Sequence, residues 1–211
     1  MRAKITIILA ISLLIRLQAQ EGLAAVKVLD QFSAQAKSAP SVSIEFSLLT
    51  VDAIENRRDT IEGSLILSGN KYRLTLPEST TWFNGTDNWN YMPSVKEVTI
   101  TRPESGDISF FSKPSLLYTM HREGYKPRLV EEKAAEYIID LYPEDISTDM
   151  IRIRLIITKP ALTLKSAEYK TRNGVTMTLK TIEYTLKFKP DSQFFIFDPS
   201  KVKGIEIIDM R

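Results

Sequence analysis

Apolar positions along this chain recur in two rhythms. Between Leu23 and Lys37, Ala25, Leu29, Phe32 and Ala36 return at spacings of four, three and four, which is one stripe of an amphipathic helix. Ala39-Pro40 closes that stretch, because the residue before a proline is biased out of the helical region. The rhythm then changes to period two. Val42, Ile44, Phe46 and Leu48 alternate with Ser41, Ser43, Glu45 and Ser47, as on a strand with one wet and one buried face. Ile61, Gly63, Leu65 and Leu67 predict a second strand, and Ser68-Gly69-Asn70 turns into a third carrying Tyr72, Leu74 and Leu76. Asn84-Gly85 is a tight-turn dipeptide. Trp89 and Tyr91 follow it two apart, so a strand points both to one face.

The second half keeps the habit. Tyr137, Ile139 and Leu141 share a face, as do Ile151, Ile153, Leu155 and Ile157. Asn173-Gly174 marks another hairpin, followed by Val175, Met177 and Leu179, and then by Ile182, Tyr184, Leu186 and Phe188. Sequential hairpins of about eleven strands predict one large antiparallel sheet. No linker or composition shift divides the chain, and no repeat is convincing.

The ends add a compartment. Met1-Arg-Ala-Lys precedes an almost wholly apolar run, Ile5–Ile15, closed by Arg16-Leu17-Gln18-Ala19. A basic start, a short apolar core and a small exit residue predict a secretory signal over residues 1–19, with a single domain over 20–211. The run is shorter than the roughly 20 residues of a membrane span. No cysteine follows it, so the protein is not itself a lipoprotein. Loss of Arg2, Lys4 and Arg16 would take the formal charge of +2 to about −1, leaving no basic excess for nucleic acid.

The order Gly85, Trp89, Tyr91, Pro93 and then the alternating Glu97–Thr101 resembles the outer-membrane lipoprotein carrier (LolA-type) family. So does the close of the chain, Phe195-x-Phe197, Pro199, Gly204, the alternation Ile205–Ile208 and Asp209-x-Arg211. The resemblance implies an α+β domain: a single curved antiparallel half-barrel sheet of about eleven strands capped by helices. It implies a monomeric periplasmic carrier that holds the acyl chains of lipoproteins in an apolar cavity. An inner-membrane release transporter would be the donor and an outer-membrane receptor the acceptor. A sensing module of the same fold, binding lipid or lipoprotein without transport, is the alternative. The cavity is expected to be lined by Phe46, Leu65, Leu67, Tyr72, Trp89, Tyr91, Ile139, Ile153 and Leu155.

The segment Ile108–Met120 carries Phe110, Phe111, Leu116, Leu117 and Met120 around Pro114, which prevents one continuous helix. Two arrangements fit it: a broken helix packed permanently as core, or a movable lid over the cavity. The resemblance favours the lid. The family's Arg-Pro pair, whose arginine bonds the lid, is absent, because Ser68-Gly69-Asn70 stands at that turn. Closure is therefore expected to rest mainly on apolar contacts, with Lys71 or Arg73 as the candidates for a replacement ion pair.

The case for catalysis is weak. His121 is the only histidine and there is no cysteine, so a multi-histidine or thiolate metal site is excluded. No phosphate loop, dinucleotide fingerprint or Gly-x-Ser-x-Gly elbow exists. No cofactor is expected. Glu131, Glu132, Glu136 and Asp140 form an acidic run that reads as a solvated edge.

Overall fold

The computed structural model describes residues 2–102 and 113–211, with residues 2–19 described by their backbone alone. The first element, α1, is one helix over Arg2–Ser38. It continues through the segment that reads as an export signal into the amphipathic stretch. Ala25, Val28, Leu29 and Phe32 are its buried stripe, with Ala36 partly buried beside them. Among the described residues no helix is long and apolar enough to cross a membrane.

Twelve strands follow among the described residues: β1 Val42–Asp52, β2 Arg57–Ser68, β3 Lys71–Thr75, β4 Thr80–Phe83, β5 Asn88–Met92, β6 Glu97–Thr101, β7 Tyr125–Glu132, β8 Glu136–Pro143, β9 Met150–Thr158, β10 Leu164–Thr171, β11 Val175–Thr185 and β12 Glu206–Asp209. They form a single sheet in the order β12-β6-β5-β4-β3-β2-β1-β11-β10-β9-β8-β7. All the pairings are antiparallel hairpin or strand-to-strand ladders except one. β12 lies parallel to β6, so the sheet is not wholly antiparallel as its pattern suggested. That pairing requires the chain after β11, at the middle of the sheet, to cross one face and reach the far edge.

Bulges bend the strands. The β1–β11 register shifts between Glu45 and Phe46, so that Glu45 opposes Glu183 while Phe46 opposes Thr181. Ile182 is the extra residue and is pushed outward to 60 % exposure. The inward set of β11 therefore changes parity, from Met177 and Leu179 to Tyr184. Further shifts occur between Leu129 and Glu131, Leu164 and Ser166, and Lys170 and Thr171. Each extra residue locally increases twist, which curves a large sheet.

The face beneath α1, called inner here, carries the main core. Val42, Ile44, Phe46 and Leu48 of β1 stand beside Leu65 and Leu67 of β2, with Tyr72 and Leu74 of β3 next to them. Gly63 lies opposite Phe46, and a Cβ there would sit 2.6 Å from the tip of the Phe46 ring and 2.9 Å from the Thr75 carbonyl oxygen. A glycine is what lets that ring lie across β2. α1 packs along β7, where Glu21 accepts from Arg128 Nε at 2.8 Å, and Gln35 Nε2 donates to the Ala161 carbonyl at 2.9 Å.

The outer face is divided. On β8–β10 it is charged, with Asp140, Arg152, Arg154 and Glu168 in one network. On β4–β6 it is apolar, and the crossing C-terminal segment covers it. Phe195 and Phe197 are buried there with Val98 and Ile100. Phe197 lies 5.2 Å from the Trp82 ring and 5.5 Å from that of Tyr91. The sheet thus has a large inner core and a smaller outer one.

Candidate functional site: the covered inner face

From β3 through β2, β1, β11, β10 and β9 to β8 the inner face is a continuous apolar surface, closed among the described residues by two elements of different strength. α1 is long and packs along β7. The second cover is short: two 3-10 turns, Pro114–Tyr118 and Met120–Arg122, in place of the broken α-helix the sequence suggests. Pro114 starts the first turn, where its missing N–H costs nothing. Leu116, Leu117, Tyr118 and Met120 are all buried in the inner core. Tyr118 lies 4.9 Å, ring to ring, from Phe32 of α1. Phe110 and Phe111, expected to belong to the same cover, lie outside the described residues.

With both covers in place the described side chains of the turns pack into the core on this face. A gap of about 80 Å³ remains at the seam between the helix end and the turns, bounded by Ala36, Val42, Leu67 and Tyr118 among others. That volume holds a few waters and not an acyl chain. A long apolar ligand could take the place of these side chains only by displacing the cover.

Among the described residues two side-chain polar ties hold the turns down. The Tyr118 and Tyr184 hydroxyls lie 3.1 Å apart under the cover. Burial holds Tyr118 well above the ordinary tyrosine range, and pushes Tyr184 up to about 12, so both stay protonated. The other tie is at the rim. Asp30 Oδ1 of α1 accepts from Arg122 Nε at 3.0 Å and lies 3.0 Å from His121 Nε2, and Asp30 Oδ2 accepts from Arg122 Nη2. Arg122 first, and His121 second, hold the Asp30 carboxyl below its ordinary value of 3.8.

This rim contact is the ion pair that sequence reasoning missed. The arginine belongs to the cover itself, and its partner lies on the helix 92 residues away. Lys71 and Arg73 do not supply it. Arg73 is on the outer face, with its guanidinium carbon 5.2 Å from the Trp82 ring centre and 5.3 Å from that of Phe194. The one hint was composition: the lone histidine falls beside an arginine at the end of the lid segment.

The tie is modest. The Arg122 and Asp30 side chains are 60 % and 40 % exposed, and such pairs contribute about 0.2–1 kcal/mol. The four buried side chains of the turns contribute about 1.5–3 kcal/mol each. Closure is therefore mainly apolar. Asp30→Asn is expected to lower stability by at most about 1 kcal/mol at pH 6. Because the folded carboxyl titrates below its unfolded value, its contribution is present above about pH 4 and is lost as pH falls through the folded value. Paired thermal melts of wild type and variant should therefore converge in strong acid; a difference that grows there would rule out this ion pair as the source.

The expected lining residues separate into two groups. Phe46, Leu65, Leu67 and Tyr72, together with Ile139, Ile153 and Leu155, are buried on the inner face; Leu116 and Leu117 cover it. Tyr72 packs 5.4 Å from Phe83, and its hydroxyl accepts from Asn88 Nδ2 at 3.4 Å. Trp89 and Tyr91 do not join them. The ladder pairs Tyr72 with Phe83 and Phe83 with Asn88, while Arg73 pairs with Trp82 and Trp82 with Trp89. Trp89 and Tyr91 therefore stand on the outer face, each half-buried, with the Tyr91 ring 5.5 Å from that of Phe197. Among the described residues no cluster of histidine, cysteine, aspartate and glutamate could hold a metal.

This architecture has a match in sequence. A family model described as "Outer membrane lipoprotein carrier protein LolA" matches residues 15–175. The chain belongs to the LolA family. Curated protein sequences give no match. Among solved structures, an uncharacterized conserved protein from Thermus thermophilus is similar at 12 % identity and a TM-score of 0.56, covering 88 % of this chain and 99 % of that one. A DUF1329 family protein from Desulfovibrio piger is similar at 12 % identity and a TM-score of 0.50, with 87 % and 99 % covered. A LolA superfamily protein from Nitrosomonas europaea gives 15 % identity and a TM-score of 0.44, with 81 % and 96 % covered. At 12 % identity the first two show likeness of fold alone. The LolA model stops at residue 175, so the crossing C-terminal segment and β12 lie beyond the part of the chain it matches.

Proposed function

We propose that this LolA-family protein is a non-enzymatic periplasmic carrier that holds the acyl chains of lipoproteins against the inner face of its sheet. Residues 1–19 would direct export and be removed. The observation that carries the reading is the apolar inner face under a cover whose described turns are buried in it and tied at the rim by the Asp30–Arg122 contact. Such a site suits cargo that is apolar, large and temporary.

The magnitudes favour a carrier over a permanent store. A sixteen-carbon chain gains ~12 kcal/mol on leaving water, at about 0.8 kcal/mol per CH₂. Into an open cavity, two or three such chains would bind almost irreversibly. Here the empty site is already occupied by the cover. Expelling Leu116, Leu117, Tyr118 and Met120 forfeits roughly 6–12 kcal/mol of their own burial. Entry of one chain is then close to balanced, and an acceptor with a modest advantage can take the load. Phe46, Leu65, Leu67, Tyr72, Ile139, Ile153 and Leu155 would meet the chains once the cover swings away. An inner-membrane release transporter would load the protein and an outer-membrane receptor unload it.

The test is release of lipoprotein from inner-membrane vesicles. The purified protein should strip acylated lipoprotein in stoichiometric amounts and pass it to outer-membrane vesicles. Binding with no onward transfer would reject transport in favour of a sensing role. Failure to bind an acylated lipoprotein at all would reject both.

A further inference from the structure

A second cavity lies on the opposite face of the sheet, between β3–β5 and the C-terminal segment that crosses them. Its volume is about 370 Å³. Trp82, Tyr91, Phe194 and Phe197 supply aromatic walls, and Arg73 lies among them. This cavity is separated from the lipid-facing side by the sheet itself.

The state of Arg73 is what makes the cavity more than a packing gap. Its guanidinium lies within about 6 Å of two ring centres, Trp82 and Phe194, the range of a cation–π contact. Its Nε is buried and makes no hydrogen bond. Among the described residues the side chain has no carboxylate partner. An arginine so held is desolvated on its faces and fixed in orientation, with its donor fork unspent. The carboxylates nearby are already engaged. Asp198 accepts from Ser200 N at 3.0 Å and from Ser200 Oγ at 2.6 Å, with Lys201 Nζ at 3.5 Å. Asp191 accepts from Gln193 N at 2.9 Å.

We propose that this outer cavity binds a small aromatic monocarboxylate, with the carboxylate on Arg73 and the ring among Trp82, Tyr91, Phe194 and Phe197. A planar carboxylate matches the guanidinium fork bidentately, and a flat ring matches aromatic walls. Asp191 and Asp198 at the edge disfavour a dianion such as a phosphate monoester. The cavity is of the size of small-molecule sites. The proposal stands independently of lipid carriage, because it uses the other face.

The two tryptophans report on it. Trp82 is in the wall and Trp89 is its cross-strand neighbour. Titrating the full-length protein with 3-phenylpropionate should give a saturable change in tryptophan fluorescence. The neutral isostere 3-phenylpropanamide should bind at least about tenfold more weakly to the same wild-type protein, because the charge-assisted pair is lost. Arg73→Gln should weaken 3-phenylpropionate by a similar factor while its circular dichroism spectrum stays that of wild type. Ile196→Trp, which fills the cavity and keeps Arg73, should abolish the saturable change. Equal affinity for acid and amide, unchanged binding by either variant, or no saturable change at millimolar 3-phenylpropionate would each overturn the proposal. The amide comparison needs no mutation, so a poorly folded variant does not blunt the test.

Discussion

Asp140→Ala is expected to destabilise the protein by about 3 kcal/mol, at the lower end of the 3–5 kcal/mol seen when one partner of a buried ion pair is removed. Asp140 is on β8, 2 % exposed, and faces outward in the charged half of the sheet. Its oxygens accept from Arg154 Nε at 2.6 Å and Nη2 at 2.8 Å, and from the Tyr142 hydroxyl at 3.2 Å. Arg152 Nη1 is 3.7 Å away, and Arg152 Nη2 donates to Glu168. The ladder aligns Arg128, Asp140, Arg154 and Glu168 across four strands. Truncation leaves two arginines side by side, with Glu168 as their remaining acid in this network. The partial exposure of Arg152 and Arg154, 20 % and 34 %, is why the low end of the range applies. Urea denaturation should show a lower midpoint at unchanged slope. The double variant Asp140→Ala with Arg154→Met should recover much of the loss, since apolar replacement of both partners is often neutral. A single-variant loss under about 1 kcal/mol would mean that the network is solvated and structurally incidental.

The same strand pattern was legible in the sequence to different depths. The helix stripe Ala25–Leu29–Phe32 and the alternation of β1 specify both element and buried side, because each has one apolar and one polar set. β11 carries its own irregularity in its letters. Its apolar positions are odd at Val175, Met177 and Leu179 and even from Ile182 onward, and that change of parity is the bulge. Trp89 and Tyr91 show where such reading stops. Period two places them together, yet says nothing of which face they share. On β4–β6 the outer face is the one covered among the described residues, so the answer depends on Phe195 and Phe197 arriving from the far end of the chain. The parallel β12 has the same origin, since four residues of mixed polarity do not encode the edge they will join. The Asp30–Arg122 contact was equally hidden, because an exposed acid on a helix flank looks like any other.

Tying the cover to the helix is expected to abolish acyl uptake altogether. The chain has no cysteine, so Asp30→Cys with Arg122→Cys would give a unique pair of thiols where the native ion pair now sits. A short bifunctional thiol reagent would join them across the rim. The double substitution removes a contact worth about 0.2–1 kcal/mol at this exposure, so the unlinked variant should still fold and load. The link leaves Leu116, Leu117, Tyr118 and Met120 in the inner core, where they occupy the volume an acyl chain needs. The gap of about 80 Å³ beside them cannot take their place. The linked protein should therefore melt no lower than the unlinked one and accept no acylated lipoprotein, while cleavage of the linker restores loading. Loading of the linked protein at the unlinked rate would show that chains enter without moving these turns, and would remove them from the mechanism. Raising ionic strength on the wild type gives a second, independent reading. Salt screens the exposed Asp30–Arg122 pair but not apolar burial, so loading should quicken only slightly. A steep salt dependence would place the gate in the ion pair instead of in the four buried side chains.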